Sequence, residues 1–147
     1  MTRRAPTAIA ATIVALCLGC KGQATKATTA DTRQPLALPI EAQDAVRAEM
    51  NGMLTSINRI LVALPRQDTV SIRQAAAASG LATAADPLLE KLLPEQFLTW
   101  GTQTHQGFDE LAAFVTTTYA PDSVLLRLGA ITQRCVTCHA TYRLATQ

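Results

Sequence analysis

Apolar side chains recur at spacings of three and four residues through the segment 41–64, which predicts an amphipathic helix with one buried face. Glu41 and Asp44 lie in its first turns, where carboxylates suit the helix dipole, and Pro65 ends the helix. The first helix is therefore expected to present both methionines that follow Met1 to the interior. The apolar stripe consists of Val46, Met50, Met53, Ile57, Ile60 and Leu64.

Three further segments have helical patterns. The stretch TVSIRQAAAASGLA (69–82) has an alanine-rich face, with Asp68 or Thr69 as its N-cap, and DPLLEKLL (86–93) is predicted to be a short connecting turn. A third helix is expected from Pro94 to about Thr118, and a fourth from Pro121 to the C-terminus.

Both of these helices have apolar residues alternating by four and three, as in the seam of packed helices. The third carries Phe97, Gly101, Thr104, Phe108, Leu111 and Val115, and the fourth carries Val124, Leu128, Ile131, Cys135, Cys138 and Tyr142. No segment of the domain has the pattern of a strand. The predicted fold class is therefore all-α, as an antiparallel four-helix bundle.

Composition narrows the range of partners. The chain has 147 residues, 48% of them hydrophobic and 16% charged, as expected for one helical domain. The formal net charge is +2, but Arg3 and Arg4 lie at the extreme N-terminus, and without them 11 basic residues face 11 acidic ones. Because no run of Lys or Arg remains, neither nucleic acid nor an anionic membrane surface is an expected partner.

The N-terminal residues predict export. MTRR is a short basic region, and AIAATIVALCLG is an apolar run of 12 residues, which suits a signal peptide rather than a membrane span. Gly19-Cys20 resembles a bacterial lipobox, which would make Cys20 the lipidated residue; ordinary cleavage nearby is the alternative. We therefore expect a signal peptide at 1–19, a disordered tether at 20–40 and a domain at 41–147.

The candidate chemistry lies in CVTCHATYR, residues 135–143. Cys135, Cys138 and His139 occupy positions i, i+3 and i+4 of the fourth helix, so all three project from one face. A zinc site would require a fourth ligand. A redox dithiol usually lies at the start of a helix that follows a strand, whereas this CxxC lies at a helix end. The spacing favours two thioethers to haem, with the adjacent histidine reaching the iron, over a metal clip or a dithiol.

On these residues the chain resembles the class II cytochromes c, the cytochrome c′ family, which are exported four-helix bundles with haem near the C-terminus. VRAEMNGMLTSINRIL (46–61) and LPEQF…FDELA (93–112) are similar to that family's first and third helices. The resemblance implies one covalent haem c, with thioethers at Cys135 and Cys138 and His139 as the axial ligand. It also implies that Tyr142 and Arg143 contact the haem, Arg143 lying one helical turn after His139.

The resemblance leaves the sixth iron ligand open. A methionine there makes a six-coordinate electron carrier, whereas an apolar residue leaves a five-coordinate protein that binds NO or CO. Met50 is the predicted ligand and Met53 the second candidate, although methionines at this spacing also serve as core filler. The family's spacing from an arginine, counted from Arg47, would instead place Asn51 in register. Arg47 itself suits a haem propionate.

Three other side chains are assigned less specific places. Phe108 and Trp100 are expected to pack in the haem pocket, and His105 is expected to be a partly exposed polar residue of the third helix. The protein is thus predicted to be a non-enzymatic, periplasmic electron carrier that meets redox partner proteins and touches the membrane only through a lipid on Cys20. The family's tendency to form homodimers is carried over as an expectation. A gas-binding cytochrome c′ and a haem-free CxxC protein are the alternatives.

Overall fold

The structure, a computed structural model, describes residues 30–84 and 87–145. The predicted signal peptide (1–19), the lipidation site Cys20 and residues 21–29 of the predicted tether lie outside this part of the chain. All elements described below belong to the unit Thr32–Gln147. None of the helices in the described residues is long and apolar enough to cross a membrane.

The prediction of a mostly helical protein is confirmed. The described residues form five α-helices: α1 (Ile40–Ala63), α2 (Thr69–Ala77), α3 (Pro87–Leu92), α4 (Glu95–Thr117) and α5 (Pro121–Thr141). The carboxylate of Asp68 accepts a hydrogen bond from the Ser71 backbone N–H at 2.9 Å, which confirms this residue as the N-cap of α2. The segment predicted as a connecting turn contains the short helix α3.

The second helix is shorter than predicted, because it ends at Ala77 rather than near residue 82. Gly80 follows, and the carboxylate of Asp109 packs so closely on it that a Cβ would collide there. The same carboxylate accepts a hydrogen bond from the Leu81 N–H at 3.0 Å. Asp109 of α4 thus gives the Leu81 N–H an acceptor other than a helix carbonyl. The backbone can therefore leave the helical path after Ala77.

The main hydrophobic core lies among four helices. α2 packs against both α1 and α4, and α4 packs against α5. Gly107 permits a close approach of α4 and α5, because a Cβ at this position would lie 2.9 Å from the Cγ1 of Ile131. The largest fully buried side chains of this core are Phe108, Ile60, Ile72, Leu111, Ile131 and Val124.

Three predictions about the chain ends are wrong. β1 (Gln34–Ala37) and β2 (Tyr142–Ala145) form a parallel two-stranded sheet, so the domain does contain strands. Part of the predicted tether is therefore regular structure, since it contains β1 and the first residue of α1, Ile40. The fourth predicted helix stops at Thr141, and Arg143 lies on a strand rather than one helical turn after His139.

Tyr142 explains why the last helix ends where it does. Its side chain is buried and meets the rings of Phe97 and Trp100 edge-on, at centroid distances of 5.6 and 6.0 Å. Aromatic packing and the ladder of hydrogen bonds to β1 thus override the helical pattern of the sequence.

Gln43, a buried polar residue of α1, connects the residue that follows β1 to the last residue of β2. Its Nε2 donates to the carbonyl oxygens of Leu38 and Ala145, each at 3.0 Å, and its Oε1 accepts from Arg47 at 2.8 Å. Because the side chain is only 2% exposed, water cannot replace these bonds. The amide therefore fixes the start of α1 to the end of each strand.

We expect Gln43→Ala to lower the free energy of unfolding by about 1–3 kcal/mol, since it leaves two buried carbonyl groups without this donor. Chemical denaturation measures the effect. Gln103→Ala is the matched control, because Gln103 is an exposed glutamine of α4. An equal and small effect of the two substitutions would contradict the role given to Gln43.

Candidate functional site

The CxxCH residues occupy the last two turns of α5. Cys135 and Cys138 are free, half-buried thiols, and His139 is exposed. Burial raises the pKa of the Cys135 thiol. Burial, together with the neighbouring Cys135, raises the pKa of the Cys138 thiol to about 11. Both thiols are therefore protonated near neutral pH, unlike the thiolates of reactive dithiols.

A cleft of about 510 Å³ opens beside this end of α5. Its walls come from α1, the start of α4, the end of α5, both strands and Arg33, which precedes β1, so it forms where the two strands meet the helices. The volume lies in the range of small-molecule and cofactor sites, about 300–1,000 Å³. The lining residues are Arg33, Leu36, Val46, Arg47, Met50, Asn51, Phe97, Cys138, His139, Tyr142, Arg143 and Leu144.

A smaller cavity of about 40 Å³ adjoins the same helix end. It is lined by Met50, Met53, Phe97, Trp100, Gly101, Thr104, Arg134, Cys135, Cys138 and His139. Four residues line both spaces: Met50, Phe97, Cys138 and His139. Met50 and the CxxCH group, which are about 85 residues apart in sequence, thus line the same two spaces.

The candidates for a second axial ligand differ in their surroundings. Met50 is half-buried and lines both the cleft and the smaller cavity. Met53 is 8% exposed and packs within the main core, touching only the smaller cavity of the two. Asn51 is exposed and lines only the cleft. Of these three residues of α1, Met50 is therefore the one that lines both spaces beside the CxxCH group.

The cleft has a cationic rim. Arg47 lies on α1, Arg143 on β2 and Arg33 just before β1, and no Asp or Glu is among the described residues that line the cleft. Arg47 also forms an ion pair with Asp44 at 2.9 Å on the exposed side of α1. Such a rim complements an anionic group, and guanidinium binds carboxylates in a bidentate manner.

Five residues that line the cleft are not among the predicted site residues: Arg33, Leu36, Val46, Phe97 and Leu144. Arg33 and Leu36 lie in the segment that the sequence predicts to be a disordered tether. The alternation of Leu36, Leu38 and Ile40 in QPLALPI is a period-two pattern that could have indicated a strand. The two aromatic residues expected in the haem pocket lie in different places. Trp100 lines the smaller cavity, whereas Phe108 is fully buried in the main core and lines neither space.

The prediction that His105 is partly exposed is wrong, since it is 2% exposed. Its Nδ1 donates to the Ser79 carbonyl at 2.8 Å, and its Nε2 lies 2.7 Å from the Glu49 carboxylate. Both partners are acceptors, and the Glu49 bond, above all, raises the pKa of His105 against the opposing effect of burial. His105 lines a separate cavity of about 290 Å³ and takes no part in the cleft.

This pair predicts a dependence of stability on pH. The pKa of folded His105 is above its usual value of 6.5, so its contribution is fully present below about 6.5 and is lost as pH rises through the folded pKa. We expect Glu49→Gln, which removes the charge and keeps an acceptor, to flatten the loss over this window. Thermal unfolding at a series of pH values measures it. Unchanged pH profiles of wild type and variant would contradict the assignment.

The described residues contain no group of three or more His, Cys, Asp or Glu side chains that could hold a metal ion among themselves. Comparisons with protein-family models, with curated proteins and with solved structures each found no match to this chain.

Proposed function

We propose that the chain is an exported c-type cytochrome of the class II type that transfers single electrons through one covalently attached haem c. The observation that carries this proposal is the shared lining of the cleft and the smaller cavity, where Cys138 and His139 meet Met50. The proposal includes the finer fold assignment, an antiparallel four-helix bundle made by α1, α2, α4 and α5.

The residues of this site fit the haem in three respects. Cys135 and Cys138 have the spacing for two thioethers and both line the smaller cavity, while Cys138 also lines the cleft. His139 follows at once and lines both spaces, so its imidazole is the proposed axial ligand. The cationic rim complements the two haem carboxylates, and Arg47 is the residue proposed to bind one of them.

The haem iron, when bound, supplies one-electron chemistry between its ferric and ferrous states. Cys135 and Cys138 would hold the haem covalently, and His139 and Met50 are the residues that would bind its iron. If Met50 binds, outside ligands would be excluded. The rings of Phe97, Trp100 and Tyr142, which pack edge-on, would limit the access of water to the cofactor. No substrate is transformed, so the protein is proposed not to be an enzyme.

A gas-binding cytochrome c′ is the second candidate, and the position of Asn51 is the observation that favours it. Asn51 lines the cleft, and the spacing from Arg47 puts it in the family's register for the residue facing the iron. With Asn51 there instead of Met50, the sixth position would be open to NO or CO. The haem-free alternative of a redox dithiol is less well supported, since burial raises the pKa of both thiols, whereas reactive dithiols have a lowered thiol pKa.

The proposed location is the periplasm. The basic and apolar N-terminal pattern supports export, and a lipid on Cys20 would supply the proposed membrane anchor. Redox proteins of the same compartment would be the partners, with homodimer formation carried over from the resemblance.

Covalent attachment is the direct test of this proposal. The full chain is expressed for export together with haem-attachment machinery, then denatured and separated by size. We expect haem to remain on the polypeptide, because thioethers survive denaturation whereas axial ligation alone does not. Complete loss of haem from the denatured wild-type chain would overturn the proposal.

A further inference from the structure

The segment Arg33–Leu38, which contains β1, forms a wall of the cleft. Leu36 lines the cleft and is only 5% exposed, and Arg33 lines it as well. β1 pairs in parallel with β2, in a register that places Gln34 opposite Tyr142 and Leu36 opposite Leu144. Since β2 follows α5 directly, this segment lies along the part of the chain that leaves the CxxCH turn.

The side chain of Arg33 donates a hydrogen bond to that turn. Its Nη1 donates to the carbonyl oxygen of His139 at 3.3 Å, across 106 positions of sequence. The carbonyl belongs to the last turn of α5, at the negative end of the helix dipole. The hydrogen bond is exposed, and it places a guanidinium beside the His139 backbone at this end of the helix.

The other end of the segment is fastened to the body of the protein. Leu38 is 2% exposed and packs in a second apolar cluster with Leu89, Leu93 and Tyr142. Its carbonyl oxygen accepts the hydrogen bond from Gln43, which also binds Ala145 at the end of β2. The segment is thus attached at both ends. Leu36, in its middle, belongs to the same buried cluster and also lines the cleft.

We infer that Arg33–Leu38 is a strap that completes the cofactor cleft: Leu36 shields the cofactor from water and small iron ligands, and Arg33 is a positioning residue for His139. This inference rests on the proposed haem. It adds to the site a segment that lies more than 90 residues before the CxxCH group in sequence. Substitutions in the strap would test both roles while leaving the side chains of Cys135, Cys138, His139 and Met50 in the sequence.

The shielding role is tested with the haem-loaded full chain by Leu36→Ala. We expect the second-order rate constant for imidazole binding to ferric iron to rise about tenfold or more, since the substitution removes a buried leucine from the strap. Hydrogen exchange at Tyr142–Ala145 should accelerate in the same variant. Leu126→Ala, at a leucine of α5 that is 76% exposed, is the control and should leave both unchanged.

The positioning role is tested by Arg33→Gln, an exposed substitution that keeps the core intact. We expect it to shift the hyperfine-shifted proton resonances of the His139 ring, and Arg33→Lys to restore them in part. Arg73→Gln on α2 should leave them unchanged. Wild-type resonances in Arg33→Gln would overturn the positioning role, even if Leu36→Ala fails to fold.

The outcomes separate this inference from the proposed function. A wild-type chain without covalent haem overturns the proposed function, and the strap's role toward a cofactor with it. A haem-loaded wild type whose Leu36→Ala variant binds imidazole within about twofold of the wild-type rate overturns the shielding role alone. Faster binding in Leu36→Ala but not in Leu126→Ala supports it.

Discussion

Replacing both Cys135 and Cys138 with serine is expected to abolish covalent haem attachment. Each thioether requires a thiol, and these two cysteines are the only ones after Cys20 in the sequence. Each is half-buried on the face of α5 that lines the smaller cavity. Because serine is close to isosteric with cysteine, the substitutions should leave α5 intact. Haem retained after denaturation measures the effect, with the wild-type chain as reference.

Val136→Ser is the matched control for this double variant. Val136 lies between the two cysteines and is 61% exposed. Its substitution introduces a serine into the same turn without removing a thiol. We expect this control to keep covalent haem at the wild-type level. Covalent haem on the double variant, or its loss from the Val136→Ser control, would contradict the assignment of the thioethers.

Met50→Ala is expected to convert a low-spin protein to a high-spin one and to open it to CO. If Met50 occupies the sixth position in about 99% of molecules, about 1% can bind CO, and removing the side chain raises the apparent affinity about a hundredfold. The expectation follows from the position of Met50 on both the cleft and the smaller cavity. Ferrous spectra and CO titration measure it.

Two neighbours on α1 serve as controls for that change. Met53→Ala removes a methionine that packs in the main core and should cost stability while leaving the spin state unchanged. Asn51→Ala changes the residue that occupies the cleft in the alternative register. A spectrum of Met50→Ala identical to that of wild type would reject Met50 as a ligand, and a change confined to Asn51→Ala would favour the gas-binding candidate.

The local periodicity of apolar residues is sufficient to predict the long helices and the part of the site that they form. The stripe of α1 and the proline after it predicted a helix close to the observed Ile40–Ala63, with Met50 toward the interior. The CxxCH positions lay on a helix as expected, near Trp100 and Tyr142. These features depend on residues within a few turns of each other, which is the range over which sequence patterns carry structural information.

The features that sequence reasoning missed depend on contacts between distant residues. β1 and β2 have four residues each and pair only because residues 34–37 and 142–145 come together, so neither pattern is strong by itself. His105 lies next to a seam position, but its burial depends on Glu49, 56 positions away. Arg33 reaches His139 over a still longer separation. No local pattern contains these partners, and the site was therefore predicted without its N-terminal wall.

The absorption spectrum of the exported chain, recorded in ferric and ferrous forms and after addition of CO, is the most direct test of the central claim. The account predicts covalent haem bands, with sharp low-spin α and β bands on reduction that CO leaves unchanged, since Met50 and His139 would fill both axial positions. A chain that carries no haem bands, although the attachment machinery is active on a known c-type cytochrome, would contradict it.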